Sequence, residues 1–199
     1  MPQSIQQPVF TRYQTFLIGI IALLQFTVVL DFMVMAPLGA QLIRVLHIDA
    51  SHFGWVVSAY AFSAGISGIA AAGFADRFDR KKMLLFCYTG FILGTLFCGI
   101  APDYGFLLFA RMFTGVFGGV LFSVNMAIIA DLFPLEKRGR VMGYVQMAFA
   151  VSQVAGIPLG LFLANRYGWQ MPFRMIVAFC IPIGIVIIRW MHPDRKSVV

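Results

Sequence analysis

The 199-residue chain is 60% hydrophobic and only 12% charged, with a mean hydropathy of +0.87, whereas a water-soluble domain carries about 25% charged residues. That balance excludes a water-soluble globule and points to a helical protein threaded several times through a bilayer. The net charge of +7 does not argue for nucleic acid, because the basic residues cluster in short connections between apolar runs, where anionic lipid headgroups are the nearer partner.

Taken in chain order, apolar runs long enough to cross a hydrocarbon core, which needs about 20 helical residues, fall at 14–35, 53–75, 83–101, 104–130, 141–164 and 170–190. The first carries Asp31 inside it and the fourth carries Arg111. An aspartate in that first run, without a small-residue cleavage site, argues against a removed signal peptide, so the segment is expected to remain as a helix. The sixth has an uncharged core only from 175 to 188, about 21 Å long, so Arg174 and Arg189 at its ends are expected to snorkel toward the two surfaces. Residues 1–199 thus read as a single all-α membrane bundle of six transmembrane helices, with no separate soluble domain.

Several chemistries find no support. Cys87, Cys98 and Cys180 lie in apolar runs without paired spacing and read as small buried side chains. His47, His52 and His192 fall at loops or helix ends and read as solvated. No nucleophile with its base, metal-ligand cluster or phosphate-cradling glycine loop is present in the sequence, so neither an enzyme nor a bound metal or cofactor is expected.

Lysine and arginine placement sets the expected orientation. With the N-terminus in the cytoplasm, the inside segments hold Arg12; Arg77, Arg80, Lys81 and Lys82; Lys137, Arg138 and Arg140; and Arg195 and Lys196, ten in all, against Arg44, Arg166 and Arg174 outside. This predicts cytoplasmic N- and C-termini in a plasma or bacterial inner membrane. It also makes the charged string Asp76, Arg77, Asp79, Arg80, Lys81, Lys82 a tight cytoplasmic connection between the second and third spans.

An internal repeat is visible at a constant offset of 89. "GWVVSAYAFSAGISGIAAAGFADRF" (54–78) and "GYVQMAFAVSQVAGIPLGLFLANRY" (143–167) share seven identities in 25 positions. It makes the second and fifth spans equivalent, within two three-helix units at about 14–101 and 104–191. Because three is odd the units point in opposite directions, the inverted-repeat construction of many secondary transporters.

On these residues the chain resembles the major facilitator superfamily, specifically its drug and metabolite proton antiporters, over the N-terminal six-helix half. "AGFADRFDRK" is similar to the loop pattern G-x-L-A-D-R-x-G-R-K, with Asp76, Arg77, Arg80 and Lys81 in matching places and Ala72 and Asp79 standing for its glycines. "RMFTGVFGG", with Arg111, Gly115, Gly118 and Gly119, resembles the fourth-helix pattern, "DLFPLEKRGRVMG" the second charged hairpin, and "LDFMVMAPL" the first-helix signature. The fifth-helix antiporter pattern is partly matched by Gly156, Pro158 and Gly160 in "GIPLG", which are assigned to helix packing. The resemblance implies proton-coupled transport of a small molecule driven by the proton gradient. It also implies a gating role for the hairpin, whose residues matched by Asp76 and Arg80 hold a network between the two halves of the fold.

The residues themselves narrow the site. Asp31 stands about 22 Å above a core entry near Phe16, and Arg111 about 9 Å below the opposite edge of a 30 Å core, so their heights coincide. Two charges in hydrocarbon are costly unless paired or hydrated, and an Asp31–Arg111 pair, direct or through water, facing a polar crevice, is the expected arrangement. It is either a static lock between the first and fourth helices, or a switch broken by protonation or by an anionic substrate group. Gln25, Asn125, and Gln146 with Gln153, seven apart and so nearly on one helix face, are candidate polar points of the cavity, Phe26, Tyr60 and Phe149 candidate aromatic lining, and the glycine stripe of the fourth helix a packing face.

Since the superfamily works with two such halves, a partner is expected: a C-terminal six-helix half, in the same or another chain, or a second copy. "HPDRKSVV" reads like the start of a linker between halves. A non-transporting membrane scaffold or an inactive fragment is the alternative.

Overall fold

The computed structural model describes residues 10–74 and 79–191. The helices are α1 (Arg12–Met33), α2 (Met35–Val45), α3 (Ala50–Phe74), α4 (Arg80–Ile100), α5 (Tyr104–Leu132), α6 (Leu135–Val151), α7 (Ile157–Tyr167) and α8 (Met171–Trp190), with a π-helical turn, Ser152–Gly156, joining α6 to α7. Among the described residues they make six candidate spans, because α1 and α2 form one stretch, Arg12–Val45, and α6 through α7 another, Leu135–Tyr167.

Local chemistry explains the boundaries. Thr11 and Gln14 form a reciprocal capping box at the start of α1, Oγ1 of Thr11 accepting from Gln14 N at 3.2 Å and Oε1 of Gln14 from Thr11 N at 3.0 Å. Asp79 caps α4, its Oδ1 accepting from Lys82 N at 2.9 Å, so the aspartate that replaces a glycine of the family loop supplies a helix start. Asp103 caps α5 through Phe106 N at 2.8 Å.

The first span outruns its expected end at 35 and continues to Val45, with one break at Val34. Pro37 accounts for that break, since its ring opposes the carbonyl four residues earlier, on Met33, and it brings no N–H. The fifth span likewise begins at Leu135 rather than 141, and its π turn ends at Gly156, two residues before Pro158.

Packing follows one pattern. α3 runs along α5 and α1 along α6; α4 packs on α5 and α8 on α1; α4 and α8 meet each other. Exchanging the first three spans for the last three maps these neighbours onto one another. Burial carries the same relation: every exposed residue of α3 from Gly54 to Gly73 has an exposed counterpart 89 positions later, Trp55 with Tyr144 and Phe62 with Val151 among them, while Val56 with Val145 are both buried.

Close approach is set by glycine. A Cβ on Gly115 would strike the backbone oxygen of Tyr60, and one on Gly119 that of Ala64, which lets α3 lie directly on α5. Gly156 and Gly160 accept the side chains of Leu30 and Val34 in the same way, seating the fifth span on the first. Pro158 is exposed, contrary to its assignment as a packing residue, because its influence is on the backbone of the π turn.

Candidate functional site

The interior charges come together where α1, α4 and α5 meet. Arg111 Nη1 donates to Asp31 Oδ2 at 2.8 Å and lies 3.3 Å from the Asp31 backbone oxygen, and Thr95 Oγ1 donates to Asp31 Oδ1 at 3.1 Å. Both charged side chains are 0% exposed. At that depth neither charge has water to solvate it, so each depends on the other and on Thr95. Among the described residues, Nε and Nη2 of Arg111 have no hydrogen-bond partner. The guanidinium is covered instead by the ring of Tyr60 from α3, whose centroid lies 4.4 Å from Cζ, an attractive cation–π geometry.

Tyr60 also borders a cavity. A space of about 590 Å³ opens between α1, α3, α5 and α6, lined by Val28, Phe32, Tyr60, Gly118, Phe122 and Phe149 among others, a volume suited to a small organic molecule. The Phe32 ring lies against that of Tyr60 in a tilted arrangement, with centroids 5.3 Å apart. This cavity is not the polar crevice expected at the ion pair: neither Asp31 nor Arg111 lines it, its walls are overwhelmingly apolar, and Tyr60 stands between it and the guanidinium.

The amides are not gathered around it either. Gln25 and Asn125 are buried away from the lining, and Oδ1 of Asn125 has no hydrogen-bond partner among the described residues. Gln146 is exposed and Gln153 half-buried, both outside the lining, because the shared face inferred from their spacing of seven turns partly outward.

Comparison with known proteins decides the family. The family model "Major Facilitator Superfamily" matches residues 21–198. The chain belongs to the major facilitator superfamily. Among its relatives, Multidrug resistance protein 3 of Bacillus subtilis is 35% identical over 133 residues, 66% of this chain and 25% of the relative. The uncharacterized MFS-type transporter YceJ of the same bacterium is 30% identical over 172 residues, 86% of this chain and 44% of the relative. Crystal structures of a bacterial homologue of the human lysosomal transporter Spinster, in an inward-facing, unoccupied conformation (TM-score 0.77, 19% identity, 94% of this chain and 45% of that one), and of the proton:xylose symporter XylE (TM-score 0.76, 17% identity, 90% and 45%), share the fold. The chain therefore spans less than half the length of these facilitator proteins.

The basic end of this facilitator half forms a second cluster. Arg80 Nη2 lies 2.8 Å from Asp131 Oδ2, tying the start of α4 to the end of α5, and Lys81 Nζ donates to Ile188 O of α8 at 2.9 Å. Arg138 bonds the carbonyls of Phe133 and Ala130. Arg80 engages a carboxylate of its own half; Asp76 and Arg77 lie outside the described residues. At the other end, Arg174 does not simply snorkel: its Nε donates to Gly99 O at 2.8 Å, joining α8 to α4. The residues that sequence reasoning passed over are Thr95 and Asp131. Thr95 stands about 18 Å above Met83, close to the height of Asp31, and that height was its available signal.

Proposed function

We propose that this chain is the N-terminal half of a secondary active transporter that exports a small molecule with a large apolar part, driven by the proton gradient. The observation that carries the reading is the placement of Tyr60, at once a wall of the apolar cavity and the cover of the Asp31–Arg111 pair. Protonation of Asp31 releases Arg111 and lets the Tyr60 ring shift into the cavity, whereas a substrate in the cavity presses the ring back over the guanidinium, restores the pair and expels the proton, so that cargo and proton occupy the chain in turn and cross in opposite directions. Two multidrug resistance proteins of B. subtilis among the relatives support a drug-like cargo and its export.

The ten-to-three excess of Lys and Arg supports cytoplasmic termini, in a plasma or bacterial inner membrane. The span of less than half of each relative supports a partner, either a C-terminal half or a second copy. The pattern of neighbours and exposure repeated at offset 89 supports two inverted three-helix units.

A thermal-shift screen of lipophilic cations, sugars and organic acids on the purified chain tests the cargo, repeated with Tyr60→Leu and Arg111→Ala. Stabilisation by apolar compounds that falls in Tyr60→Leu fits the proposal. Stabilisation confined to sugars would overturn it. Vesicle transport with Asp31→Asn tests the coupling: proton-driven flux should be lost. A chain that binds no compound yet assembles with other membrane proteins would instead favour the scaffold reading.

A further inference from the structure

A second hollow of about 540 Å³ lies between α4 and α5, separate from the cavity behind Tyr60. Its walls are Phe86 of α4 and Val116, Phe117 and Val120 of α5, with Asp79 and Lys82 at one end. Phe86 and Val116 are exposed, so the trough opens on the outer surface of the bundle, and along α4 from Asp79 to Cys87 it runs about 12 Å.

The charges at its polar end are unequally engaged. Arg80 is held on Asp131 at 2.8 Å and Lys81 on Ile188 O at 2.9 Å. Asp79 turns Oδ1 onto Lys82 N at 2.9 Å, so its charge faces the amide end of α4. Among the described residues the Lys82 ammonium has no hydrogen-bond or ion-pair partner. An uncommitted cation beside a helix N-terminus, continuous with an apolar trough open to the bilayer, matches a molecule with a phosphate at one end and hydrocarbon at the other.

We infer that this trough binds one acyl chain of an anionic phospholipid whose phosphate engages Lys82. The site depends on the chain lying in a membrane but not on its exporting anything.

Native mass spectrometry of the full chain in neutral detergent tests this, titrating phosphatidylglycerol and phosphatidylcholine with identical acyl chains, and separately inorganic phosphate. The expected result is about fivefold tighter binding of phosphatidylglycerol, the weight of one lysine near an anionic headgroup. Lys82→Gln should level the two lipids, and Val116→Trp, which fills the trough, should weaken both. The variants act at different parts of the site, so either decides the matter if the other fails to fold. Equal affinities in the unmodified chain, a preference that survives Lys82→Gln, affinities that Val116→Trp leaves unchanged, or inorganic phosphate binding as tightly as the lipid would each overturn the inference.

Discussion

Two Arg–Asp pairs with the same 2.8 Å separation sit in opposite surroundings. Asp31–Arg111 is completely buried, while at Arg80–Asp131 the side chains are 10% and 46% exposed. Distance alone therefore does not measure what a pair contributes. In the interior each ion is stranded if its partner goes, whereas at the basic end water and salt take over much of the lost interaction. The interior pair can hold a conformation and the outer one only trims it, which is why a switch belongs at Asp31 and a tether at Asp131.

The largest effect should follow removal of one interior charge. Asp31→Ala is expected to lower stability by about 3–5 kcal/mol, read from thermal unfolding in detergent, while Asp31→Leu combined with Arg111→Leu recovers most of the loss. If the double variant is as unstable as the single one, burial is not the source of the difference between the pairs. Thr95→Val, which strips the remaining hydrogen bond from Asp31 Oδ1, should cost about 2–3 kcal/mol in the same measurement.

At the exposed pair Asp131→Ala should cost about 0–1 kcal/mol, and the difference should shrink as salt is raised. A loss as large as that at Asp31 would erase the distinction. The smallest effect lies at the solvated turn before α3, where the backbone N–H of His52, and then its ring, hold the Asp49 carboxyl below the usual carboxylate range. A lowered folded value means that this contribution is complete above about pH 3.9, the ordinary value, and disappears as pH falls through the folded one. Melting curves between pH 5 and pH 2 should show a slight acid-side loss that Asp49→Ala removes.

What could be read beforehand divides along the same line between interior and surface. Six spans were legible because a bilayer demands long uncharged runs, and Asp31 with Arg111 stood out as charges violating that demand at equal heights. Pro37 was present in the first run, but hydropathy averages over a single ring, so the break at Val34 and the extension to Val45 went unread. Gln146 and Gln153 show the limit of periodicity, which says that two residues share a face and not what that face meets. Thr95 carries no charge to mark it among apolar neighbours. Tyr60 was only a possible pocket aromatic, since its position over Arg111 depends on how closely Gly115 lets α3 approach α5.

The central claim is that cargo in the apolar cavity and a proton on Asp31 are linked through Tyr60. Its most direct test is to titrate a stabilising ligand from the screen into weakly buffered chain and count the protons exchanged. A ligand-linked proton exchange in the unmodified chain that vanishes in Asp31→Asn is the predicted result. The same exchange with asparagine at position 31 would contradict the account.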